Sequence, residues 1–415
     1  MAEHPRLGSG YYVAISLRNL RRNPRRTLIT LITMIFGIST LTLLGALNDG
    51  WLDQMRSNFI LSFTGHIQIH SHGFETSQSL QDSITDPGEV IRYTDYETII
   101  GWTQRIRTSG LASLGSSSAG VLIMATDPEQ ETWVTSMHEN VNAGRWLNPG
   151  MTDDLLLGHT LARSIGAELG DKIILMAQRA NGEMVSEVFY LRGILRTGGP
   201  QIDRTLAVIP LNTAQHWLSM GESITDIVLR AEHHDDTEDL YRLLTQHLSS
   251  QRYEILRWQE LDPMVSQWLS FSDAYGLVVI FVVVLLVLTE ILNTMLIALH
   301  DRQKELGIMA AIGTGKAQIF MMMMLEAVII ILIGSLLGYL SGGLLVFLLR
   351  EQGIDLSHFS NAFQFFYMDP VIHPLLTLES ARRILGTTLI AALIAGIYPA
   401  WKATRLSITQ SIRIQ

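Results

Sequence analysis

Four stretches long enough to cross a bilayer, and one long acidic segment between the first two, predict the fold class. It is an α-helical membrane protein with four transmembrane helices (1+3) plus a large α+β extracytoplasmic domain between helices 1 and 2. A third observation, the arginines crowded before the first stretch, predicts which side of the membrane each part occupies. The 415 residues are 47% hydrophobic and only 17% charged, against about 25% charged in ordinary soluble domains. Residues 48–273 hold 30 acidic and 15 basic residues, a net of −15, while the remainder carries +6. An acidic body between basic, apolar flanks argues against a nucleic-acid partner, which would need basic charge on the folded domain. With no cysteine in the chain, disulfides, thiolate metal sites and thiol nucleophiles are excluded together.

A hydrocarbon core about 30 Å thick takes roughly 20 apolar helical residues. Residues 28–47 supply 20 without a charge, 274–299 supply 26 with Glu290 as the one ionisable group, and 317–349 supply 33 interrupted by Glu326. The fourth stretch, 384–401, has 18 uncharged residues and Pro399 near its end. Six arginines against Glu3 precede the first stretch, which places the N-terminus in the cytoplasm. Residues 48–273 then lie outside, 300–316 inside, 350–383 outside and the tail 402–415 inside. Arg382 and Arg383 sit on the outer flank of the last stretch, against the rule, where they can snorkel. A basic preamble of 27 residues, with no small-x-small cleavage pattern after the first stretch, reads as an uncleaved anchor.

Within 48–273, alternation at period two marks strands at Gly65-His66-Ile67-Gln68-Ile69-His70, at Lys172-Ile173-Ile174-Leu175 and at Glu187-Val188-Phe189-Tyr190-Leu191. Asn181-Gly182 between the last two is a hairpin signal. Residues 155–169 have helical apolar spacing and end at a Gly170-Asp171 turn, and 231–250 read as a helix entered through acidic residues that suit its dipole. The Ser- and Gly-rich patch 109–118 reads as a loop. Leu261, Val265, Trp268 and Leu269 have helical spacing and predict a stalk running into the second span.

The search for chemistry is mostly negative. His66, His70 and His72 share a strand face by parity, a spacing a metal site would use, but no partnering carboxylate is evident and an exposed polar strand face gives the same pattern. His233-His234-Asp235-Asp236 diverge around a helix start, so no metal site is assigned. Gly313-Thr314-Gly315-Lys316 is not a phosphate loop: Ala310 stands where the motif needs glycine, Ala317 follows the lysine, and no strand precedes it. Glu290, Asn293 and Glu326 are the polar candidates inside the spans, a set without a nucleophile and base. Both glutamates lie toward the cytoplasmic ends, where loop cations are in reach. Gly334, Gly338, Gly342 and Gly343 allow close helix packing, either sliding or static. The loop 300–316 predicts a short amphipathic helix, with Leu306, Met309 and Ile312 on one side, Arg302 and Glu305 pointing away, and Gly313 and Gly315 stopping it. Such a loop is either a docking element for a soluble partner or a helix lying on lipid.

This stretch also carries a resemblance. Asn293, then Arg302 with Lys304-Glu305-Leu306-Gly307-Ile308, Ala311-Ile312-Gly313, Gln318-Ile319 and Glu326 resemble the signature of FtsX-type ABC permeases, the superfamily of MacB exporters and LolC/LolE lipoprotein-releasing permeases. Leu17-Arg18-Asn19-Leu20 with Asn23-Pro24-Arg25-Arg26 resembles the family's cytoplasmic amphipathic helix, here within 1–27. Tyr398-Pro399-Ala400-Trp401-Lys402-Ala403 resembles its C-terminal motif. Gly144-Arg145-Trp146, Leu157-Gly158, Leu169-Gly170-Asp171 and Gly193-Ile194-Leu195 look like its periplasmic core.

The resemblance implies an inner-membrane permease, not an enzyme, with both termini cytoplasmic. Its periplasmic domain would be porter-like with a sabre-like insert at about 137–223. The coupling helix, with Arg302, Lys304, Glu305, Leu306, Gly307, Met309 and Gly313, would contact an ABC ATPase present in two copies. That partner would bind ATP and Mg; no cofactor is expected on this chain. A second permease, the same or related, membrane lipids, a lipoprotein or other amphiphile as substrate, and a periplasmic carrier or adaptor complete the implied partners. The function implied first is extraction of lipoproteins from the inner membrane. The alternatives are MacB-like export through an adaptor and outer-membrane duct, and FtsX-like mechanotransmission to a periplasmic hydrolase.

Overall fold

The computed structural model describes Arg18 and residues 24–405 except 95, 97, 235, 357 and 359–370. The expected N-terminal amphipathic helix and most of the tail 402–415 therefore lie outside the described residues. The chain divides into two compact units, one of residues 53–269 with 356–370, the other of 1–52, 270–355 and 371–415.

Four long helices carry the second unit: α1 (Pro24–Phe59), α2 (Pro263–Asp301), α4 (Lys316–Arg350) and α5 (Leu378–Ala403), with the short α3 (Gln303–Ala311) between α2 and α4. All four long ones are long and apolar enough to cross a membrane. The expected spans 28–47, 274–299, 317–349 and 384–401 each fall inside one of them. Helix α1 continues well past residue 47: Asn48–Phe59 contains no proline, and Gly50 disfavours the helix by only about 1 kcal/mol. Helix α2 opens on Pro263, whose missing N–H costs nothing in a first turn. The expected stalk thus begins at Pro263, and Leu261 belongs to a separate short helix, Trp258–Leu261.

Helices α1, α2, α4 and α5 meet in a cluster built around Met34, Ile38, Ile291, Met323, Ala327 and Ala395. Three of the four glycines in α4 face α1 directly: a Cβ added to Gly334 would meet Met34 at 3.1 Å, one on Gly338 would meet Ile38 at 2.7 Å, and one on Gly342 would meet Thr42 at 2.7 Å. Gly343 faces open space. With no side chain at the contact, polar groups come into reach, and the Ser39 hydroxyl donates to the Gly338 carbonyl at 3.0 Å.

Among the described residues, the first unit is built on one ten-stranded sheet. Its strands are β1 (Ile67–Ser71), β2 (Ile99–Leu114), β3 (Ser117–Thr126), β4 (Val141–Gly144), β5 (Asp154–Gly158), β6 (Lys172–Gln178), β7 (Met184–Leu195), β8 (Leu206–Pro210), β9 (Asp226–Ala231) and β10 (Tyr253–Arg257). They hydrogen-bond in the order β10-β1-β9-β2-β3-β8-β5-β7-β4, and β6 pairs with both β2 and β7. That double pairing closes β2, β3, β8, β5, β7 and β6 into a ring. The long β2 makes this possible. Its first half pairs with β9, and beyond that pairing Gly110–Ser113 turn to β6. Of the strands within 137–223, β8 pairs with β3 and β6 with β2. The ring is filled by inward residues such as Ile106, Val121, Leu155, Ile173, Phe189 and Ile209.

Three expectations are corrected here. Residues 155–169 are not one helix: Asp154–Gly158 is a strand between β7 and β8, and only His159–Ile165 is helical. Leu155, Leu156 and Leu157 are all fully buried, and a strand covered on both faces shows no alternation to mark it. Residues 109–118 are not a loop but the paired ends of β2 and β3 with a turn at Gly115 and Ser116, their small polar residues lying on partly solvated positions. Residues 231–250 begin as the last residue of β9, and the helix is confined to Asp236–His247. The hairpin at Asn181-Gly182 is present, with Gly182 at φ +90° and the β6 and β7 arms in register from Lys172↔Tyr190 to Gln178↔Met184.

Candidate functional site: a loop between two spans and a buried polar layer

The loop between α2 and α4 is built from its ends. Helix α3 closes in a Schellman motif: Gly313 at φ +100° donates to the Ala310 carbonyl at 3.2 Å, and Thr314 N–H donates to Met309 at 2.9 Å. A Cβ would be strained at that φ, which is why glycine ends the helix here. Two residues on, the Gly315 N–H donates to Gln318 Oε1 at 2.9 Å and α4 begins.

Sequence reasoning placed Arg302 on the outward side, and the structure reverses this. Arg302 is 9% exposed, its Nη1 donates to Glu326 Oε2 at 2.8 Å and its Nε to Glu305 Oε2 at 3.3 Å. Glu326 is 3% exposed on α4, so its charge is neutralised by the residue that starts the loop. Two buried opposite charges hold each other there, because either one alone would leave an uncompensated ion. Leu306 and Gly307 are buried, Met309 is half-buried, and Lys304 and Gly313 are exposed. Ile312 is not on the buried side with Leu306: it is 78% exposed and Ile308 is 55% exposed. The outward surface of this loop is therefore apolar at its centre with Lys304 and Lys316 beside it. Asn293 lies exposed on α2, and the side chain of Glu290 lies outside the described residues.

The sheet unit contains a polar layer that sequence reasoning missed. Arg105 is fully buried; its Nε donates to Glu131 Oε2 at 3.0 Å and its Nη2 to Oε1 at 2.5 Å, while Nη1 donates to the Phe63 carbonyl at 2.5 Å. The hydroxyls of Thr126 and Thr135 donate to the same carboxylate at 2.5 and 2.6 Å. Burial opposes ionisation of Glu131, yet Arg105 and then these hydroxyls hold its carboxyl below the usual range. Beside this pair, Arg107 bonds Asp226 Oδ1 at 2.6 Å and Glu75 Oε2 at 3.0 Å, and His70 Nδ1 lies 2.7 Å from the same Asp226 oxygen. Here too burial works against the charge, and Arg107 followed by His70 keeps the Asp226 carboxyl well below its ordinary range.

The histidine face of β1 is accordingly not an exposed polar face. β1 lies between β10 and β9, and His66, Gln68 and His70 are all buried. The carboxylates near His70 are Asp226, distant in sequence, and Glu75, five residues on. His66 Nδ1 accepts from the Ala231 N–H at 3.2 Å, its Nε2 is 3.0 Å from His234 Nδ1, and His234 Nε2 is 3.2 Å from the Ser57 hydroxyl. That first bond fixes the tautomer: with Nδ1 accepting, neutral His66 carries its proton on Nε2 and donates to His234. Burial, then His234 and Arg230, pushes His66 down to about 3.

A visible signal for the polar layer was available. Thr103, Arg105 and Arg107 share one parity in a strand whose other residues are mostly apolar, which places cations on a face that must be covered.

Comparison with known proteins agrees with both halves of the chain. The family model of the MacB-like periplasmic core domain matches residues 27–247, and that of the FtsX-like permease C-terminal matches 277–408. The chain is 22% identical over 425 aligned positions to the lipoprotein-releasing system transmembrane protein LolC of Xylella fastidiosa, covering 97% of this chain and 98% of that one. The same protein of Neisseria meningitidis is 20% identical, at 97% and 98% coverage. A macrolide export ATP-binding/permease protein MacB of Hyphomonas neptunium is 22% identical over 95% of this chain, which spans 59% of that longer relative.

Proposed function

The chain belongs to the FtsX-like ABC transporter permeases with a MacB-like periplasmic core domain, and from that premise we propose that it is the permease subunit of a lipoprotein-releasing system. The observation that carries the proposal is end-to-end similarity to the LolC proteins, 97% of this chain against 98% of theirs. In this reading the chain sits in the inner membrane with both termini in the cytoplasm, one span before the periplasmic domain and three after it. A separate ABC ATPase binds ATP and Mg, docks in two copies on a permease pair, and engages the α3 loop. Lys304, Glu305, Met309 and Gly313, with Ile308 and Ile312 at the centre, form the contact surface. Arg302 and Leu306 hold the loop to the spans from beneath. Hydrolysis moves the loop, and α1 and α2, which run on from the spans into the residues of the sheet unit, carry that movement outward. An amphiphilic lipoprotein leaves the outer leaflet for a periplasmic carrier.

Such coupling needs a surface that can be changed without unfolding the permease, and Ile312 provides it. Ile312→Asp removes an exposed apolar contact, 78% exposed in the free chain, and leaves the Schellman turn in place. In proteoliposomes with the co-purified ATPase, the variant is expected to insert normally but to lose most of the substrate-stimulated ATP hydrolysis. Unchanged stimulation would remove the coupling role. Release of an acylated protein to a soluble carrier supports the lipoprotein reading. The MacB likeness favours a second reading, export of a periplasmic peptide or drug, and capture of a duct adaptor with no acylated protein would favour it instead.

A further inference from the structure

The sheet unit holds a cavity of about 320 Å³, to which the permease reading gives no role. Phe59, Phe63, Leu122 and Ile202 line its apolar side, and Arg107 and Glu75 stand together in its polar wall. Arg107 projects from β2, and its Nε and Nη2 both donate to Asp226 Oδ1, at 2.9 and 2.6 Å. Nη2 also donates to Glu75 Oε2 at 3.0 Å. These bonds use one edge of the guanidinium and one oxygen of the Glu75 carboxylate. Arg107 Nη1 and Glu75 Oε1 make no hydrogen bond among the described residues, and neither atom is enclosed. The Arg107 side chain is 13% exposed and that of Glu75 30%. Because Nη2 and Oε2 are bonded to each other, an open donor and an open acceptor stand side by side in the wall.

That pairing selects the ligand. A charged group of either sign meets one like charge, the Glu75 carboxylate for an anion and the Arg107 guanidinium for a cation, whether or not His70 is protonated. A neutral group that is donor and acceptor at once meets neither penalty. A carboxamide is such a group: its oxygen accepts from Nη1 and its N–H donates to Oε1, and both bonds are charge-assisted. The rings of Phe59 and Phe63 and the aliphatic chains of Leu122 and Ile202 suit an apolar stem, whose burial adds to those bonds. A volume near the lower end of small-molecule sites limits the stem to roughly the size of one large side chain.

We infer that this cavity is a binding site for a carboxamide carried on an apolar stem, with Arg107 Nη1 donating to its oxygen and the Glu75 carboxylate accepting from its N–H. The site stands apart from the transport reading, and neither depends on the other.

Four compounds that share a phenylpropyl stem test it: 3-phenylpropanamide, methyl 3-phenylpropanoate, 3-phenylpropanoate and 3-phenylpropylammonium. Each is titrated by saturation-transfer NMR against the full chain in lipid nanodiscs, with empty nanodiscs as the blank for partition into lipid. Saturable binding of the amide is expected, with the ester, which lacks the N–H, and both ions at least tenfold weaker. Glu75→Ala leaves Arg107 its bonds to Asp226. It is expected to weaken the amide about tenfold, by removing a hydrogen bond to a charged group, and to leave the ester unchanged, so that the two bind alike. Val121 and Ile123 turn into the ring, so Leu122 lies on the opposite face of β3, toward the cavity. Leu122→Trp therefore fills the cavity from its wall and is expected to abolish amide binding. The ranking of the four compounds on the unaltered chain decides the matter without any variant. An ester or an ion that binds as tightly as the amide, an amide preference that survives Glu75→Ala, amide binding untouched by Leu122→Trp, or no saturable binding to the unaltered chain would each overturn the inference. A chain that stimulates its ATPase normally yet fails this titration loses the cavity site alone.

Discussion

Arg302 and Glu326 join two elements through a pair that neither makes within itself. Both are buried, so removing one partner leaves a charge in an apolar setting, at a cost of about 3–5 kcal/mol. Arg302→Met should therefore lower the melting temperature in detergent sharply, and adding Glu326→Leu should recover much of that loss. A single variant as stable as the unaltered chain would mean that the pair is not holding the loop. His66 makes a different residue-scale prediction. Folding depresses its pKa from 6.5 to about 3, so below pH 6.5 the unfolded chain binds a proton that the folded one refuses. Stability is then full above 6.5 and falls as the pH drops toward 3, by up to about 1.4 kcal/mol per pH unit. His66→Gln should flatten the unfolding profile in that window, while the acid loss from Asp226 and Glu131, at lower pH, persists.

At the scale of elements, the packing of α1 on α4 depends on glycines that leave no room for a Cβ. On Gly338 it would sit 2.7 Å from the Ile38 Cβ and 3.2 Å from the Ile35 carbonyl, so the two helix backbones would have to separate. Gly338→Ala is expected to lower thermal stability in detergent and to weaken coupling of ATP hydrolysis to transport. Gly343→Ala, which meets open space, is expected to be neutral or slightly stabilising, since alanine is the better helix former. Equal effects from both would show that helix propensity and not the interface governs them. In the sheet unit the corresponding device is β2, whose length lets one strand serve the flat part of the sheet and the closed ring. The Arg105–Glu131 pair ties that strand to the short helix Gln130–Val134 and to the Phe63 carbonyl, a three-way joint made of charge-assisted bonds.

The whole molecule is a membrane permease whose orientation can be read directly, because the chain has no cysteine to interfere. Ser116→Cys at the exposed β2–β3 turn and Lys304→Cys in the α3 loop should react with a membrane-impermeant maleimide from opposite sides. Ser116→Cys is expected to label in spheroplasts, and Lys304→Cys only after the membrane is opened. The reverse pattern would invert the proposed topology, including the side on which an ATPase could dock.

Spans of 18 to 33 apolar residues identify themselves, because lipid demands internal backbone pairing over a fixed thickness. For the same reason of local geometry, the Asn181-Gly182 hairpin and the helix stop at Gly313 were legible from neighbouring residues alone. The sequence by itself determined these, and the motifs around 302–326 determined the family. Other features needed the fold. A strand buried on both faces, as at Leu155–Leu157, loses the alternation that would announce it. The inward turn of Arg302 toward Glu326, the outward turn of Ile308 and Ile312, and the meeting of His70 with Asp226 depend on residues far apart in the chain. Only tertiary structure decided them, because a buried charge is acceptable only where the fold brings its partner, and sequence spacing carries no record of that meeting.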